Sequence, residues 1–175
     1  MKKIFYAIIL IQFSSITLAQ ITKVDLQVAG LTCSMCSKAT DKQLRTLDFI
    51  DTIEINLSHA IFTLHFKKDK TVDFNQIKKK VENAGFSVTM LEALCKLDNL
   101  KIENNFQFNY ENIRFCFIDV KPQTLNGQVA LRIIDKGFIS DKEYKKHRTQ
   151  LSQLVTNTDK IASHDGDIYH VTLKK

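Results

Sequence analysis

Residues 30–36 read Gly-Leu-Thr-Cys-Ser-Met-Cys, which places Cys33 and Cys36 three positions apart. Just before this segment, apolar and polar residues alternate from Lys23 to Val28, a pattern typical of a half-buried strand. Gly30 follows that strand, and a glycine is typical of a point where a strand ends. The segment therefore predicts a loop that carries two thiols at the end of a strand.

The residues after the loop favour a helix. Ser34 is a residue type that caps helices, and we expect a helix from about Met35 to Leu47 with Leu44 on its inner side. Cys36 then falls in the first helical turn, where free backbone N–H groups and the helix dipole favour a thiolate. Two thiols on one strand–loop–helix junction can reach the same ion.

The rest of the N-terminal part alternates strand and helix patterns. Residues 53–57 and 62–66 each alternate apolar with polar side chains, and a tight link between them predicts a hairpin. Asp73 and Gln76 form a capping box before an amphipathic helix, and residues 86–90 alternate again. The order βαββαβ predicts an α+β fold, a ferredoxin-like sheet with two helices on one face.

The two thiols also limit the kind of metal site. Thiolates are soft ligands that prefer Cu(I), Zn(II) and similar ions. A closed structural zinc site needs four ligands, and this loop offers two. Cys33 and Cys36 therefore predict an open, exchangeable site.

With this strand order, the loop resembles the heavy-metal-associated domain of copper chaperones, of the N-terminal modules of P-type ATPases, and of periplasmic mercury-binding proteins. The resemblance covers residues 21–92. In that family a Gly-Met-Thr-Cys-x-x-Cys loop binds one soft metal ion, so it implies that Cys33 and Cys36 are the metal ligands. Leu31 stands where the family usually has a core-packing Met, and Gly85-Phe86 matches a pair that lies near the metal loop in relatives.

The resemblance implies that the metal is most commonly Cu(I). Hg(II) is the next candidate, while Zn(II) or Cd(II) usually recruits an extra carboxylate or histidine, and no acidic residue adjoins this loop. It also implies a protein that is not an enzyme and that transfers or sequesters the ion. A metal-transporting ATPase or another metal-binding protein is then the expected partner.

Two other functions use the same residues. Cys33 and Cys36 could be the dithiol of a thiol–disulfide oxidoreductase, although the strand order and the lack of an accompanying Trp or cis-Pro argue against it. They could also form a structural disulfide. A third possibility is an interaction module whose metal motif is vestigial.

The remainder of the chain predicts a second, β-rich unit. Residues 93–104 are polar and are interpreted as a linker, although residues 91–97 could extend a strand or form a helical turn. Residues 105–175 then predict a small β-rich domain with one helix, and an OB-like or other small barrel is possible. The supporting patterns are strands at 106–110, 113–117, 129–133 and 168–173, an Asn126-Gly127 hairpin turn, and a Ser140/Glu143 capping box before a helix.

Cys95 and Cys116 are predicted to form a disulfide that ties the linker to the second unit, with buried thiols or extra metal ligands as alternatives. The histidines have weaker patterns. His164 and His170 could face each other across a hairpin beside Asp165 and Asp167 and form a weak Cu(II) or Zn(II) site, but a polar turn is the simpler interpretation.

The first residues predict export. Two lysines, an apolar run over residues 4–11 and the small residues before position 20 match a secretory signal peptide of residues 1–19, too short an apolar run to span a membrane. We therefore expect a periplasmic or secreted protein with no stable membrane insertion. Removing that segment lowers the formal net charge from +6 to +4, and the dispersed lysines carry no aromatic stripe, so we expect no nucleic-acid partner.

Overall fold

The computed structural model describes residues 21–158 and 168–174, so the predicted signal peptide lies outside it. Within those ranges no helix is both long and apolar enough to cross a bilayer. The elements of the described chain are β1 (Lys23–Ala29), α1 (Ser34–Leu44), β2 (Ile50–Asn56), β3 (Ile61–Phe66), α2 (Phe74–Asn83), β4 (Ser87–Ile102), β5 (Gln107–Tyr110), β6 (Ile113–Phe117), β7 (Gln123–Ile133), α3 (Asp141–Thr158) and β8 (Ile168–Leu173).

The first four strands form the antiparallel arrangement β2-β3-β1-β4, with β1 paired to both β3 and β4. Val24, Leu26 and Val28 are buried, because alternate side chains of β1 face one side of the sheet. With α1 and α2 between the strands, this confirms the predicted βαββαβ order.

The helix α2 follows its sequence signals closely. Asp73 caps it, since Asp73 Oδ1 accepts a hydrogen bond from the Gln76 backbone N–H at 3.1 Å, and the Gln76 side chain donates back to Asp73 Oδ2 at 3.0 Å. Phe74, Ile77 and Val81 form its buried face. Gly85 has a φ of +88°, so it reverses the chain before β4 at a position that favours glycine.

The strand β4 runs on from the predicted strand at 86–90 to Ile102, so the alternative that residues 91–97 extend a strand is confirmed. Residues 93–102 of the predicted linker are the second half of β4, where they pair antiparallel with β7. Ala93, Cys95 and Leu97 are buried there on alternate positions. The polar residues that resemble a linker include Asn99, which lies at an irregularity in the register with a φ of +47°.

The predicted hairpin at Asn126-Gly127 is also wrong, because both residues lie inside β7. Gly127 pairs with Leu97 of β4 beside the register irregularity and has a φ of +80°. The same left-handed preference that favours glycine in tight hairpins suits a bulge in a long strand. The sequence around Asn126-Gly127 therefore could not distinguish a hairpin turn from a bulge within a long strand.

The last four strands extend the sheet to the order β2-β3-β1-β4-β7-β8-β6-β5. β8 lies between β7 and β6 and pairs parallel with β6. β5 forms no ladder with β4 in the described chain, so the strands do not close into a hydrogen-bonded barrel. Instead the Tyr110 hydroxyl accepts from the Lys96 backbone N–H at 3.0 Å and donates to Lys96 O at 3.2 Å, which shows that the sheet rolls back toward β4.

The larger hydrophobic core crosses from the first four strands to the last four. The ring of Phe74, at the start of α2, lies 6.3 Å from the Phe115 ring of β6 and 5.2 Å from the Tyr169 ring of β8. The helix of the N-terminal part therefore packs on strands of the C-terminal part. A second, smaller cluster comprises Cys116, Ile118, Ile134, Ile139 and Leu151.

Candidate metal centre

The thiol loop joins β1 to α1, and Cys33 itself caps the helix. Cys33 Sγ accepts a hydrogen bond from the Cys36 backbone N–H at 3.3 Å. The prediction that Ser34 is the cap is therefore wrong by one residue, because Ser34 is already the first residue of α1. The cap places both thiols beside the N–H groups at the helix start.

The two sulfur atoms lie 2.7 Å apart, within hydrogen-bonding distance. Cys33 is exposed and Cys36 is half-buried. The hydrogen bond from the Cys36 side chain, together with the Cys36 and Met35 backbone N–H groups, lowers the pKa of the Cys33 thiol. The loop therefore presents a pair of adjacent sulfurs to solvent, one of which ionises more readily than an ordinary cysteine.

Packing beneath the loop fixes its path. Gly30 has a φ of +87°, and a Cβ at this position would lie 3.3 Å from the ring atom Cδ1 of Phe86. Leu31 packs partly buried against the core, as the resemblance implies for that position. The loop and Phe86 are therefore neighbours, as the Gly85-Phe86 match predicts.

A buried threonine supports the first turns of α1, and the sequence interpretation did not identify it. Thr40 is fully buried, and its hydroxyl donates to the Cys36 carbonyl at 3.2 Å. Its spacing of four residues from Cys36 is the signal that could have found it, because residues at i and i+4 share a helix face. Ser37 is buried beside it.

The described residues add no further charged or imidazole donor to the pair, since no group of three or more His, Cys, Asp and Glu side chains among them could hold a metal ion. A site built on this loop is therefore a two-thiolate site as far as those residue types are concerned. Such a site is open on its solvent side, unlike a structural zinc site with four ligands.

The predicted disulfide between Cys95 and Cys116 is wrong. Both thiols are free and buried, and they belong to different hydrophobic clusters. Cys95 lies on β4 and Cys116 on β6, with β7 and β8 between them. Adjacent strands lie about 4.8 Å apart, so two intervening strands separate β4 from β6 by three such spacings. That separation exceeds the distance of about 7 Å within which two Cα atoms must lie to form a disulfide. The alternative of two buried thiols is the observed one.

None of the four histidines that the structure describes lies at the loop. His170 Nδ1 lies 2.7 Å from Asp135 Oδ1, and the His170 backbone N–H donates to Asp135 Oδ2 at 2.8 Å. Its predicted partner His164, with Asp165 and Asp167, lies outside the described residues. The other histidines are placed in the β2–β3 turn (His59), on β3 beside Glu54 (His65) and on α3 (His147).

Comparison with known proteins identifies the N-terminal part. The model of the heavy-metal-associated domain matches residues 25–87. The copper chaperone CopZ of Staphylococcus saprophyticus is 32% identical over 63 residues, which make up 36% of this chain and 91% of that chaperone. A probable copper-exporting P-type ATPase of Archaeoglobus fulgidus is 30% identical over 67 residues, 38% of this chain but 8% of the ATPase.

A solved structure described as a CopZ metallochaperone is 25% identical, and the alignment covers 39% of this chain and all of that chain, with a TM-score of 0.36. The family match ends at residue 87, so the second half of β4 and the strands that follow lie beyond the matched segment. Through residues 25–87, the chain belongs to the heavy-metal-associated domain family.

Proposed function

We propose that this protein holds one soft metal ion, Cu(I), between the thiolates of Cys33 and Cys36 and passes it to a partner. The observation that carries the proposal is the pair of sulfur atoms, 2.7 Å apart on an exposed loop at a helix N-terminus. The N–H groups there favour the thiolate form, which is the form that binds metal. The proposal includes no enzymatic reaction.

The open side of the loop supports transfer rather than permanent storage. Cys33 is exposed, and in the described chain no acidic or histidine side chain completes the site. A thiolate from a partner can therefore approach the bound ion and replace the two cysteines one at a time. A metal-transporting ATPase or another heavy-metal-associated domain has the required chemistry.

Two kinds of argument support Cu(I) as the ion. Thiolates are soft ligands, and the relatives include a copper chaperone and a probable copper-exporting ATPase. Hg(II) has the same preference for sulfur. Zn(II) and Cd(II) fit less well, since they usually take more ligands than two cysteines provide.

We further propose that the protein acts outside the cytoplasm, in the periplasm or as a secreted protein. The support is the sequence pattern of residues 1–19. Export would expose Cys33 and Cys36 to oxidising conditions, so metal binding would compete there with disulfide formation. Mass spectrometry of the protein from its own compartment should show a chain that begins at residue 20.

A metal titration tests the binding proposal. Reduced protein is titrated anaerobically with Cu(I) in the presence of a chromophoric Cu(I) chelator. We expect one Cu(I) per chain. The Cys33→Ser/Cys36→Ser variant should lose more than about 100-fold in Cu(I) affinity, because removing the ligands costs more than removing the residues that hydrogen-bond to them. Cys95→Ala/Cys116→Ala is the matched control with the same thiol count and should retain the ion. Equal affinity in both variants would refute the proposal.

The second candidate function is a thiol–disulfide oxidoreductase that uses the same two cysteines. The lowered pKa of Cys33 favours it, because disulfide exchange also requires a reactive thiolate. Steady-state reduction of a model disulfide by the metal-free protein separates the two functions. Turnover at rates well above those of free thiol, lost in Cys33→Ser, would favour the oxidoreductase. Tight Cu(I) binding without turnover favours the metal carrier.

A further inference from the structure

Glu111 occupies an unusual position for a glutamate, in the turn between β5 and β6. Its backbone has a φ of +56°, in the left-handed region that residues other than glycine seldom adopt and where asparagine and aspartate are the common exceptions. Partial burial raises the pKa of its carboxyl group, although the residue keeps contact with solvent. Both effects disfavour a glutamate here, so its side chain needs a compensating contact.

That contact comes from the beginning of the described chain. The backbone N–H of Ile21 donates a hydrogen bond to Glu111 Oε1 at 2.6 Å. The Ile21 side chain is 2% exposed and belongs to the larger core, and the carbonyl of Thr22 accepts a hydrogen bond from the Phe66 N–H at 3.3 Å. The residues just before β1 are therefore fixed in place beside the Glu111 carboxylate.

Glu111 has no ion-pair partner among the described residues. Its hydrogen-bond partner there is the Ile21 N–H, and no described lysine, arginine or histidine pairs with it. Lysines line the cavity of about 330 Å³ that Glu111 borders. Two of them are engaged with Asp48 instead, because Lys67 Nζ donates to its carbonyl at 3.0 Å and Lys70 Nζ to its carboxylate at 2.8 Å. The carboxylate therefore lacks a matching positive charge in this part of the chain.

Removal of the leader would create a positive charge next to this carboxylate. Cleavage after residue 19 leaves Gln20 as the first residue, with a free α-ammonium group. Gln20 lies outside the described residues, but three covalent bonds join its amino nitrogen to the nitrogen of Ile21, so the two atoms are at most about 4.3 Å apart. The ammonium group then lies within about 7 Å of Glu111 Oε1 in any conformation. That distance is inside the screening length of about 8 Å at physiological salt.

We propose that Glu111 is a latch for the processed N-terminus, in which its carboxylate pairs with the α-ammonium group that removal of residues 1–19 creates at Gln20. The pair ties the start of β1, the strand that leads to the thiol loop, to the turn between β5 and β6. In the precursor the same nitrogen belongs to a neutral peptide bond, so the fold gains this ion pair only after cleavage. The inference rests on the proposed export and is independent of metal binding.

Three purified chains test the latch. They are residues 20–175, the same chain with Glu111→Gln, and residues 20–175 preceded by Gly-Ser-Gly. Glutamine keeps an oxygen that accepts from the Ile21 N–H and removes only the charge, whereas the extension moves the amine away and leaves Glu111 in place. The pKa of the α-amino group is measured from the NMR shift of methyl groups added to it by reductive methylation. Urea unfolding at pH 7 and pH 9.5 measures stability.

Other titratable groups lie close to Glu111 and are common to the three chains. The pKa values of Cys95 and Tyr110 are raised in part by the charge of Glu111. The extended chain retains that charge, so it is the control for both groups. The remaining titratable groups line the cavity, namely Asp51, His65, Lys67, Lys68 and Lys70.

In the chain 20–175 we expect the α-amino pKa to be about 0.5 above its value in Glu111→Gln and in the extended chain. A raised pKa stabilises the fold below the unfolded value of about 7.7 and loses its effect as the pH rises through the folded value. The unfolding equilibrium constant at pH 7 should therefore be about threefold smaller in 20–175 than in the extended chain. The two constants should agree at pH 9.5.

Equal α-amino pKa values in the chain 20–175 and in Glu111→Gln would overturn the latch and leave the proposed export intact. Mass spectrometry of the protein from its own compartment gives the second test. A chain that begins at Gln20 with a free amine supports the inference, and one whose Gln20 has cyclised, and so has no amine, would overturn the latch alone. A chain that retains residues 1–19 would overturn the proposed export as well.

Discussion

The start of α1 and the interior of the sheet each hold two cysteines, and their surroundings shift the thiol pKa of Cys33 in one direction and those of the buried Cys95 and Cys116 in the other. Hydrogen bonds at the helix start lower the pKa of Cys33. Burial, with a smaller contribution from the charge of Glu111, raises the pKa of Cys95 to about 12. Burial and the nearby Asp135 raise that of Cys116 to about 11. A count of four cysteines therefore says little about reactivity, which depends on the position of each thiol in the fold.

The largest expected difference between the two regions is in alkylation rate. At pH 8 a thiol with a pKa near 12 has about 1000-fold less thiolate than one with the ordinary value of 9.0. Cys33 should therefore react with iodoacetamide quickly in the native, metal-free protein, while Cys95 should be at least about 1000-fold slower. Peptide mass spectrometry at timed intervals measures each rate.

In denaturant all four cysteines should react at similar rates, which is the control for this comparison. Modification of Cys95 in the native protein as fast as that of Cys33 would contradict the division into exposed and buried thiols.

The raised pKa of Cys95 also predicts a dependence of stability on alkaline pH. Below pH 9 the thiol is neutral in both the folded and the unfolded chain, so it contributes no pH dependence. Between pH 9 and about 12 the unfolded chain loses the proton first, and the free energy of unfolding therefore falls. We expect a loss of about 2 kcal/mol near pH 10.5 from this group.

Urea unfolding at pH 8, 9 and 10.5 measures this loss. Other groups titrate in the same range, including Tyr110, whose pKa is raised by burial. The difference between the unmodified protein and Cys95→Ala isolates the thiol. Parallel pH profiles for the two proteins would show that Cys95 is not the group responsible.

A third difference between the two regions is the effect of replacing each thiol by a hydroxyl. Cys95→Ser places a polar hydroxyl at a fully buried position among apolar side chains and should cost about 1–3 kcal/mol. Cys33→Ser should leave the urea midpoint unchanged, since this side chain is exposed and serine is itself a good helix cap. A loss of stability in Cys33→Ser as large as that in Cys95→Ser would remove the distinction between the two regions.

The sequence predicts well the features that depend on local patterns. The strands β6 and β8 occupy the predicted residues, and Asp73 caps α2 as its spacing with Gln76 indicates. The proximity of Phe86 to Gly30 followed from the family resemblance. Each of these is determined by neighbours in the chain or by a motif that covers the whole segment.

Apart from the one-residue error in the cap of α1, the failures involve contacts between distant residues. The polar residues of 93–104 suggest a linker only until β7 is known to pair with residues 93–97 and 100–102. Asn126-Gly127 is a turn pattern that here lies opposite Leu97 in a long ladder. Cys95 and Cys116 could be excluded as a disulfide only once the strand order placed two strands between them. Spacing along the chain contains none of this information.

The shared strand β4 has a mechanical consequence. Its 16 residues run from beside the thiol loop, where Ser87 pairs with Ala29, into the strands that follow the family domain, so no linker separates the two within the described residues. A molecule that docks on residues 30–36 therefore meets a domain that shares one continuous sheet with the C-terminal strands.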